Sequence, residues 1–119
     1  MKIQKLLIVL LILSWGCQKN ETIHTTGNYS NGFFILNEGT FNFGNATLSF
    51  YNNDADSLTE DVFKKENREP LGDVAQSLLK VRNILLISVN NSQKIEVLDT
   101  ATCKRLKTIY GFGSPRYIM

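Results

Sequence analysis

The chain has 119 residues, of which 43% are hydrophobic and 20% are charged, and its formal net charge is +2 at pH 7. These values are ordinary for a globular protein, and the net charge indicates no class of partner. Because the Lys and Arg residues are scattered among acidic residues instead of clustered, the composition argues against nucleic-acid binding.

The N-terminus has the features of a secretory signal peptide. Lys2 and Lys5 give it a basic start, the apolar stretch LLIVLLIL follows, and the small residue Gly16 precedes Cys17. A membrane-spanning helix needs roughly 20 apolar residues, so this stretch is too short to be one. We therefore predict a signal peptide over residues 1–16 that takes no part in the fold.

The sequence around Cys17 resembles the lipobox of bacterial lipoproteins, whose cysteine is acylated and becomes the new N-terminus. It reads Ser14-Trp15-Gly16-Cys17, with Leu13 one position before the place where that family prefers leucine. The stretch Gln18-Lys19-Asn20-Glu21 resembles the export signals of Bacteroidetes surface lipoproteins. The resemblance implies lipidation at Cys17 and a surface-exposed location on the outer membrane. A simple secretory signal is the alternative.

Residues 17–32 are predicted to form a flexible tether, because they are polar, rich in turn formers and without apolar periodicity. His24 lies in this tether without a partner that would suggest a metal site. With Cys17 used for the lipid, Cys103 is the one remaining thiol, so an internal disulfide is excluded. We interpret Cys103 as a small, partly buried apolar residue.

The rest of the chain has the pattern of short strands separated by turns. For example, Ala46, Leu48 and Phe50 alternate with more polar neighbours, which is the period of two that a strand shows. No helical stripe of useful length is present. The predicted strands cover residues 33–36, 46–52, 58–63, 74–81, 84–89, 95–98 and 106–110.

Two parts of the chain repeat the same order of strands and turns. Residues 36–39 align with residues 89–92 at an offset of 53, and residues 48–52 align with residues 95–99 at an offset of 47. The first copy therefore carries six extra residues, which we place in its first turn at 40–45. Insertions of this kind map to loops.

This repeat predicts an all-β fold, specifically a β-propeller of four-stranded antiparallel blades. The spacing lies near the ~40 to 50 residues that are typical of a propeller blade. Blade one covers about 33–66, blade two about 71–111, and the start of a third blade is expected at 114–119. Since propeller rings use roughly four to eight blades, we expect about two blades of a larger ring. A small complete sandwich is the alternative.

The repeat resembles the YVTN/YncE type of β-propeller. Residues 87–92 (ISVNNS) correspond to a strand ending in Val-Thr-Asn, and residues 95–102 (IEVLDTAT) to a strand ending in Ile-Asp-Thr-Ala-Thr. The stretches FILNEG, NATL, PLGDVAQS and SPRY also resemble the opening of Bacteroidetes surface lipoproteins of this class. Some of these, the BtuG-like proteins, capture cobalamin and pass it to a TonB-dependent transporter. The resemblance implies a ligand-binding propeller with such a partner, and it assigns no residue.

The predicted strand order brings four loops to one face, namely 40–45, 67–73, 91–93 and 111–116. These loops carry both aromatic and polar side chains, a combination that suits a neutral or weakly polar organic ligand. Alternatively, the aromatic side chains cover blade edges and the Asn and Gly residues only satisfy turn geometry. The candidate ligand-binding residues are Phe41, Phe43, Asn45, Arg68, Asp73, Gln93, Phe112 and Arg116.

The sequence has no enzyme signature of the common kinds: no G-x-S-x-G elbow, no H-E-x-x-H motif and no glycine-rich phosphate loop. The carboxylates Asp54, Asp56, Glu60 and Asp61 lie in and just after a turn, where acids are usually solvated, so they do not predict a metal site. We therefore predict a binding protein without catalytic residues, metal or cofactor. The alternatives are a propeller enzyme of the lactonase or quinoprotein type and a scaffold for protein contacts at the cell surface.

Overall fold

The computed structural model describes residues 27–119, which form two antiparallel β-sheets and one short helix. The first sheet has the order β1 (Gly32–Asn37), β2 (Thr47–Asn52), β3 (Ser57–Thr59), and α1 (Val62–Asn67) follows it. The second sheet consists, in chain order, of β4 (Ala75–Val81), β5 (Ile84–Val89), β6 (Lys94–Asp99) and β7 (Arg105–Tyr110). The predicted all-β class is confirmed. The predicted signal peptide, Cys17 and His24 lie outside the described residues.

Each sheet contains the hairpin that the repeat predicts, which includes the edge strand β1 in the first sheet and the two central strands in the second. In the first sheet β1 pairs with β2 from Gly32 opposite Asn52 onward, and in the second β5 pairs with β6 from Ile84 opposite Asp99. The second sheet has the four strands expected of a blade, whereas the first has three within the described part of the chain. Residues 27–119 do not close a ring.

One hydrophobic core draws side chains from both sheets and from α1. The predicted buried face is confirmed, because Ala46, Leu48 and Phe50 are at most 2% exposed, while Ser49 on the opposite face of β2 is also buried at 5%. Burying a Leu or Phe side chain stabilises a fold by about 1.5–3 kcal/mol. The largest fully buried apolar side chains are Phe50, Phe63, Leu48, Leu71, Leu85, Ile87, Leu98, Val62 and Val89.

The strand predicted over residues 58–63 is wrong beyond β3, where the chain turns and forms α1. Asp61 has a left-handed backbone, and its side chain accepts a hydrogen bond from the Lys64 amide at 3.3 Å, which caps the helix. Val62 and Phe63 are fully buried on this helix. Among residues 27–119 no helix is long and apolar enough to cross a membrane.

The segment before β1 packs against the domain, although a tether is predicted as far as residue 32. Tyr29 is 5% exposed, its amide donates to the Ala101 carbonyl at 2.8 Å, and its hydroxyl donates to Glu66 Oε1 at 2.7 Å. The Gly27 amide donates to the same carboxylate oxygen at 3.0 Å. This segment therefore joins α1 to the turn between β6 and β7, so packing begins before residue 33.

Candidate ligand-binding surface

Three loops meet around Asp73, at the point where β4 begins and β5 ends. Asp73 Oδ2 accepts hydrogen bonds from the Asn42 amide at 2.9 Å and from Asn91 Nδ2 at 2.6 Å. Asn91 Nδ2 also lies 3.1 Å from Asn42 Oδ1, and the Asp73 amide donates to Ser92 Oγ at 2.9 Å. We call Asn42, Asp73, Asn91 and Ser92 the Asp73 cluster. Its hydrogen bonds connect three of the four loops that are predicted to share a face, namely 40–45, 67–73 and 91–93.

The residues on either side of Asp73 have unusual backbone conformations. Gly72 has φ +132°, and a Cβ added there would lie 2.7 Å from Ser92 Oγ and 2.9 Å from Val89 Cγ1. Val74 has φ 59°, which is strained for a β-branched side chain. Surrounding contacts thus hold Asp73 in place against local backbone preference.

The fourth loop crosses the same end of the second sheet. Residues 114–119, where the start of a third blade is predicted, contain no strand, and this segment is held beside β4 and β5 by side chains. Its hydrogen bonds run from Asn90 Nδ2 to the Pro115 carbonyl at 3.5 Å, from Ser88 Oγ to the Arg116 carbonyl at 3.2 Å, and from the Ile118 amide to Ser77 Oγ at 3.2 Å.

A cleft of about 340 Å³ opens between β1 and β4, next to the Asp73 cluster. A hydrogen bond of 3.1 Å from the Ala75 amide to the Glu38 carbonyl connects its two sides. We call it the inter-sheet cleft, and its lining residues are Leu36, Glu38, Ala75, Gln76, Leu78 and Tyr117.

The polar wall of the inter-sheet cleft depends on a β-bulge. The pairing of β4 with β5 shifts register between Ala75 and Ser77, which leaves Gln76 as the extra residue. A bulge redirects the side chain at that position. Gln76 Nε2 donates to Glu38 Oε1 at 2.9 Å, while Gln76 Oε1 is buried without a hydrogen-bond partner.

The structure brings most of the predicted site residues to this surface. Asp73 lies at its centre, and the exposed Gln93 belongs to the same turn as Asn91. Phe41 and Phe43 are 62% and 74% exposed on the loop that carries Asn42. They project into solvent, so this pair does not cover a sheet edge.

The other predicted residues have mixed roles. Asn45 Oδ1 accepts the Thr40 amide at 2.7 Å, so this side chain shapes its own loop. Phe112 is 37% exposed, and Arg116 is exposed while its carbonyl binds Ser88. Their loop therefore adjoins the surface through backbone contacts.

Arg68 lies elsewhere, at the C-terminal cap of α1. The preceding residue, Asn67, contacts Cys103 and Arg105 beside the turn between β6 and β7. That turn is at the opposite end of β6 from the turn that carries Asn91. The expectation that Arg68 joins the loop surface is therefore wrong.

A second polar group lies in the β6–β7 hairpin and serves the fold. The fully buried Glu96 binds Lys94 Nζ at 2.6 Å, Arg105 Nε at 2.9 Å and Thr108 Oγ1 at 2.8 Å. Across residues 27–119 no group of three or more His, Cys, Asp or Glu side chains is arranged to hold a metal ion.

Sequence reasoning missed Glu38, Gln76 and Tyr117, although all three lie in stretches that it had singled out, namely FILNEG, PLGDVAQS and SPRY. Residues 31–114 match the sequence family described as "Domain of unknown function (DUF5074)". The matched range contains the whole Asp73 cluster and every residue of the inter-sheet cleft except Tyr117. A comparison with curated protein sequences gave no match.

Proposed function

The chain belongs to the DUF5074 family, and we propose that it binds a small organic ligand at the cell surface. The observation that carries this proposal is the inter-sheet cleft, which opens beside a hydrogen-bonded cluster of loops. Ligand sites in proteins are typically concave and mostly apolar, with a few fixed polar groups. The cleft is concave and carries fixed polar groups, and its accessible lining is more polar than apolar.

The dimensions and lining of the cleft support a small-molecule ligand. Its volume of about 340 Å³ lies at the lower end of the range for ligand pockets, which is roughly 300–1,000 Å³. Leu36 and Leu78 supply apolar walls, and Glu38 with Gln76 supplies polar atoms. Larger ligands would extend over the neighbouring loop, where exposed aromatic side chains offer further contact.

The finer version of the proposal follows the resemblance to YVTN/YncE propellers and BtuG-like proteins. In this version the two sheets are blades of a propeller, the ligand is cobalamin and the recipient is a TonB-dependent transporter of the outer membrane. A corrinoid is larger than the cleft, so one of its side chains would enter the cleft and its ring would lie against Phe41 and Phe43. The hairpin that the two sheets share supports the propeller interpretation.

Calorimetric titration of the chain with cobalamin tests this version. Phe41→Ala and Phe43→Ala should each weaken binding by about two- to tenfold, because an aromatic contact contributes about 0.5–1.5 kcal/mol. Leu58→Ala is the control, since Leu58 is equally apolar and 50% exposed on β3. No heat of binding with wild type would exclude cobalamin as the ligand.

Anchoring through Cys17 is a separate part of the proposal. It rests on the resemblance of residues 14–17 to a lipobox. Cys17→Ala should release the protein from the membrane fraction of the producing cells, whereas Cys103→Ala, the matched control, should not. Retention of Cys17→Ala in the membrane fraction would refute lipidation as the anchor.

A scaffold for protein contacts is the second candidate, because an apolar patch is exposed on the first sheet. Phe33 is 52% exposed and stacks on Tyr51 at a centroid distance of 5.1 Å, and Leu58 is also exposed. This function would be favoured if affinity capture recovered a protein partner with wild type but not with Phe33→Ala.

An enzyme of the lactonase or quinoprotein type is a further alternative. A metal or quinone in the purified protein would favour it.

A further inference from the structure

We infer that the inter-sheet cleft selects a protonated amine on an apolar body and that the Glu38 carboxylate binds its ammonium group. The inference deepens the proposed function by naming the ligand class of that same site. It rests on how Glu38 is held, on what fixes Gln76 and on the apolar walls around them.

Glu38 carries a negative charge that no cation in the described structure compensates. Its side chain is exposed, and its one hydrogen bond within residues 27–119 comes from the neutral amide of Gln76. The buried carboxylate of Glu96 is different, since Lys94 and Arg105 both bind it. Glu69 likewise pairs with Arg105. Glu38 is thus a carboxylate at the rim of a cavity, with one oxygen left for a ligand.

The bulge at Gln76 fixes which atoms face Glu38. Gln76 Oε1 is enclosed and Nε2 lies 2.9 Å from Glu38 Oε1, so the amide presents its N–H groups to the carboxylate. The reversed amide would set two oxygens against each other, which the hydrogen-bond network disfavours. Gln76 therefore orients the carboxylate without neutralising it.

The remaining walls suit the apolar body of an amine. Leu36, Ala75 and Leu78 offer aliphatic surface. Tyr117 is 83% exposed at the same cleft, and an aromatic face attracts a cation as well as an apolar group. An anionic ligand would meet repulsion from Glu38, and a neutral ligand would gain the apolar contacts and a hydrogen bond without the attraction between opposite charges.

Three probes with the same aromatic body separate these cases: 2-phenylethylamine, 2-phenylethanol and 3-phenylpropionate. Each is titrated into ¹⁵N-labelled protein of the whole chain, and binding is located and quantified from amide chemical shifts. The amine should bind about three- to tenfold more tightly than the alcohol, as expected for a partly solvated charged hydrogen bond, and the carboxylate should bind most weakly. The shifted amides should belong to the residues that line the cleft.

Glu38→Gln should abolish the preference for the amine, and Glu60→Gln is the matched control. Both variants lose one exposed carboxylate and change the net charge equally, but Glu60 lies in the turn before α1. Tyr117→Ala should weaken the amine and the alcohol while keeping the preference between them. Unchanged spectra of the free variants establish that each of them folds.

Results that overturn the inference can be distinguished from results that overturn the proposed function. Equal binding of amine and alcohol, or a preference that survives Glu38→Gln, overturns the inference and leaves the proposed function standing, because the cleft still binds organic molecules. Shifts that map outside the cleft, or no binding by any of the three probes, also overturn it. The cobalamin titration then tests the finer version of the proposed function independently, because cobalamin is expected to contact Phe41 and Phe43 as well as the cleft.

Discussion

At the scale of single residues, the position of Asp73 depends on the backbone beside it. Gly72 has a positive φ and no room for a side chain against Ser92 and Val89. We predict that Gly72→Ala destabilises the protein by about 1–3 kcal/mol, because it forces a strained conformation and displaces the Ser92 hydroxyl. Urea unfolding measures this change in free energy.

Gly113→Ala is the control for this substitution. A Cβ at Gly113 meets no atom within 4 Å, and Gly113 does not have the left-handed backbone of Gly72. Its unfolding free energy should therefore stay close to that of wild type. Equal destabilisation by the two substitutions would contradict the role given to Gly72.

Cys103 is fully buried, which goes beyond the partial burial that the sequence indicated. Burial, followed by the negative charges of Glu66 and Asp99, raises the pKa of the Cys103 thiol from 9.0 to about 12. The folded state therefore holds this proton more strongly than the unfolded state. The resulting stability is present below about pH 9 and is lost as the pH rises toward 12.

We accordingly predict that stability falls above about pH 9 by up to about 1.4 kcal/mol per pH unit for this one thiol. Urea unfolding across that range measures the slope. Cys103→Ala removes the titrating group, so its free energy of unfolding should fall less steeply above pH 9 than that of wild type. The comparison of slopes holds even if the cavity left by the substitution lowers stability at neutral pH. An alkaline slope identical to that of wild type would contradict the assignment.

At the scale of elements, one side chain fixes α1 to the second sheet. Asn67 Nδ2 donates to the Phe63 and Cys103 carbonyls, both at 2.9 Å, and its Oδ1 accepts the Arg105 amide at 2.8 Å. Asn67→Ala should lower the free energy of unfolding by about 1–3 kcal/mol, since partly buried backbone groups lose their partners. Asn53→Ala is the control, because its side-chain contact is exposed and long, at 3.4 Å. Similar losses in both variants would argue against the docking role.

Strand prediction succeeded where local pattern and tertiary packing agree. The turn at Asn90 and Asn91 separates two stretches of aliphatic residues, and β5 and β6 lie where that pattern places them. It failed at Val62 and Phe63, since two adjacent apolar residues fit a strand or one turn of helix equally well. The helix is decided by the Asp61 cap and by the contacts of Asn67, which link residues distant in sequence.

The sequence predicted that the loops around Asp73 lie on one face, but it did not predict the cleft. The repeat implied that the loop around Phe41 and the turn at Asn91 share one face, and hydrogen bonds through Asp73 join them. Leu36 and Leu78 look like ordinary core residues in the sequence. The direction of Gln76 depends on a register shift between β4 and β5, which a single sequence does not reveal.

At the scale of the whole molecule, the N-terminal segment holds the two sheets together. The Tyr29 ring packs edge-on against Phe50 of the first sheet at a centroid distance of 5.3 Å, while its amide binds the Ala101 carbonyl beside β6. This contact lies at the opposite end of the second sheet from the Asp73 cluster.

Tyr29→Phe should lower the free energy of unfolding by about 1–3 kcal/mol, because a buried hydrogen bond to the Glu66 carboxylate is lost while the ring remains. Tyr51→Phe is the matched control, since its hydroxyl bonds to Asp56 at an exposed position. Thermal or urea unfolding followed by two probes, one on each sheet, measures both variants. If Tyr51→Phe lowered the free energy of unfolding as much as Tyr29→Phe, the role assigned to the Tyr29 hydroxyl would be contradicted.

The central claim is that the Asp73 cluster and the inter-sheet cleft together form a surface that binds small organic ligands. The most direct test is to titrate a library of small organic probes into ¹⁵N-labelled protein and to map the amide shifts. We predict shifts concentrated at residues 36–38, at residues 73–78 and at Tyr117. Shifts concentrated instead on the exposed Phe33 and Tyr51 face, or spread evenly over both sheets, would contradict the claim.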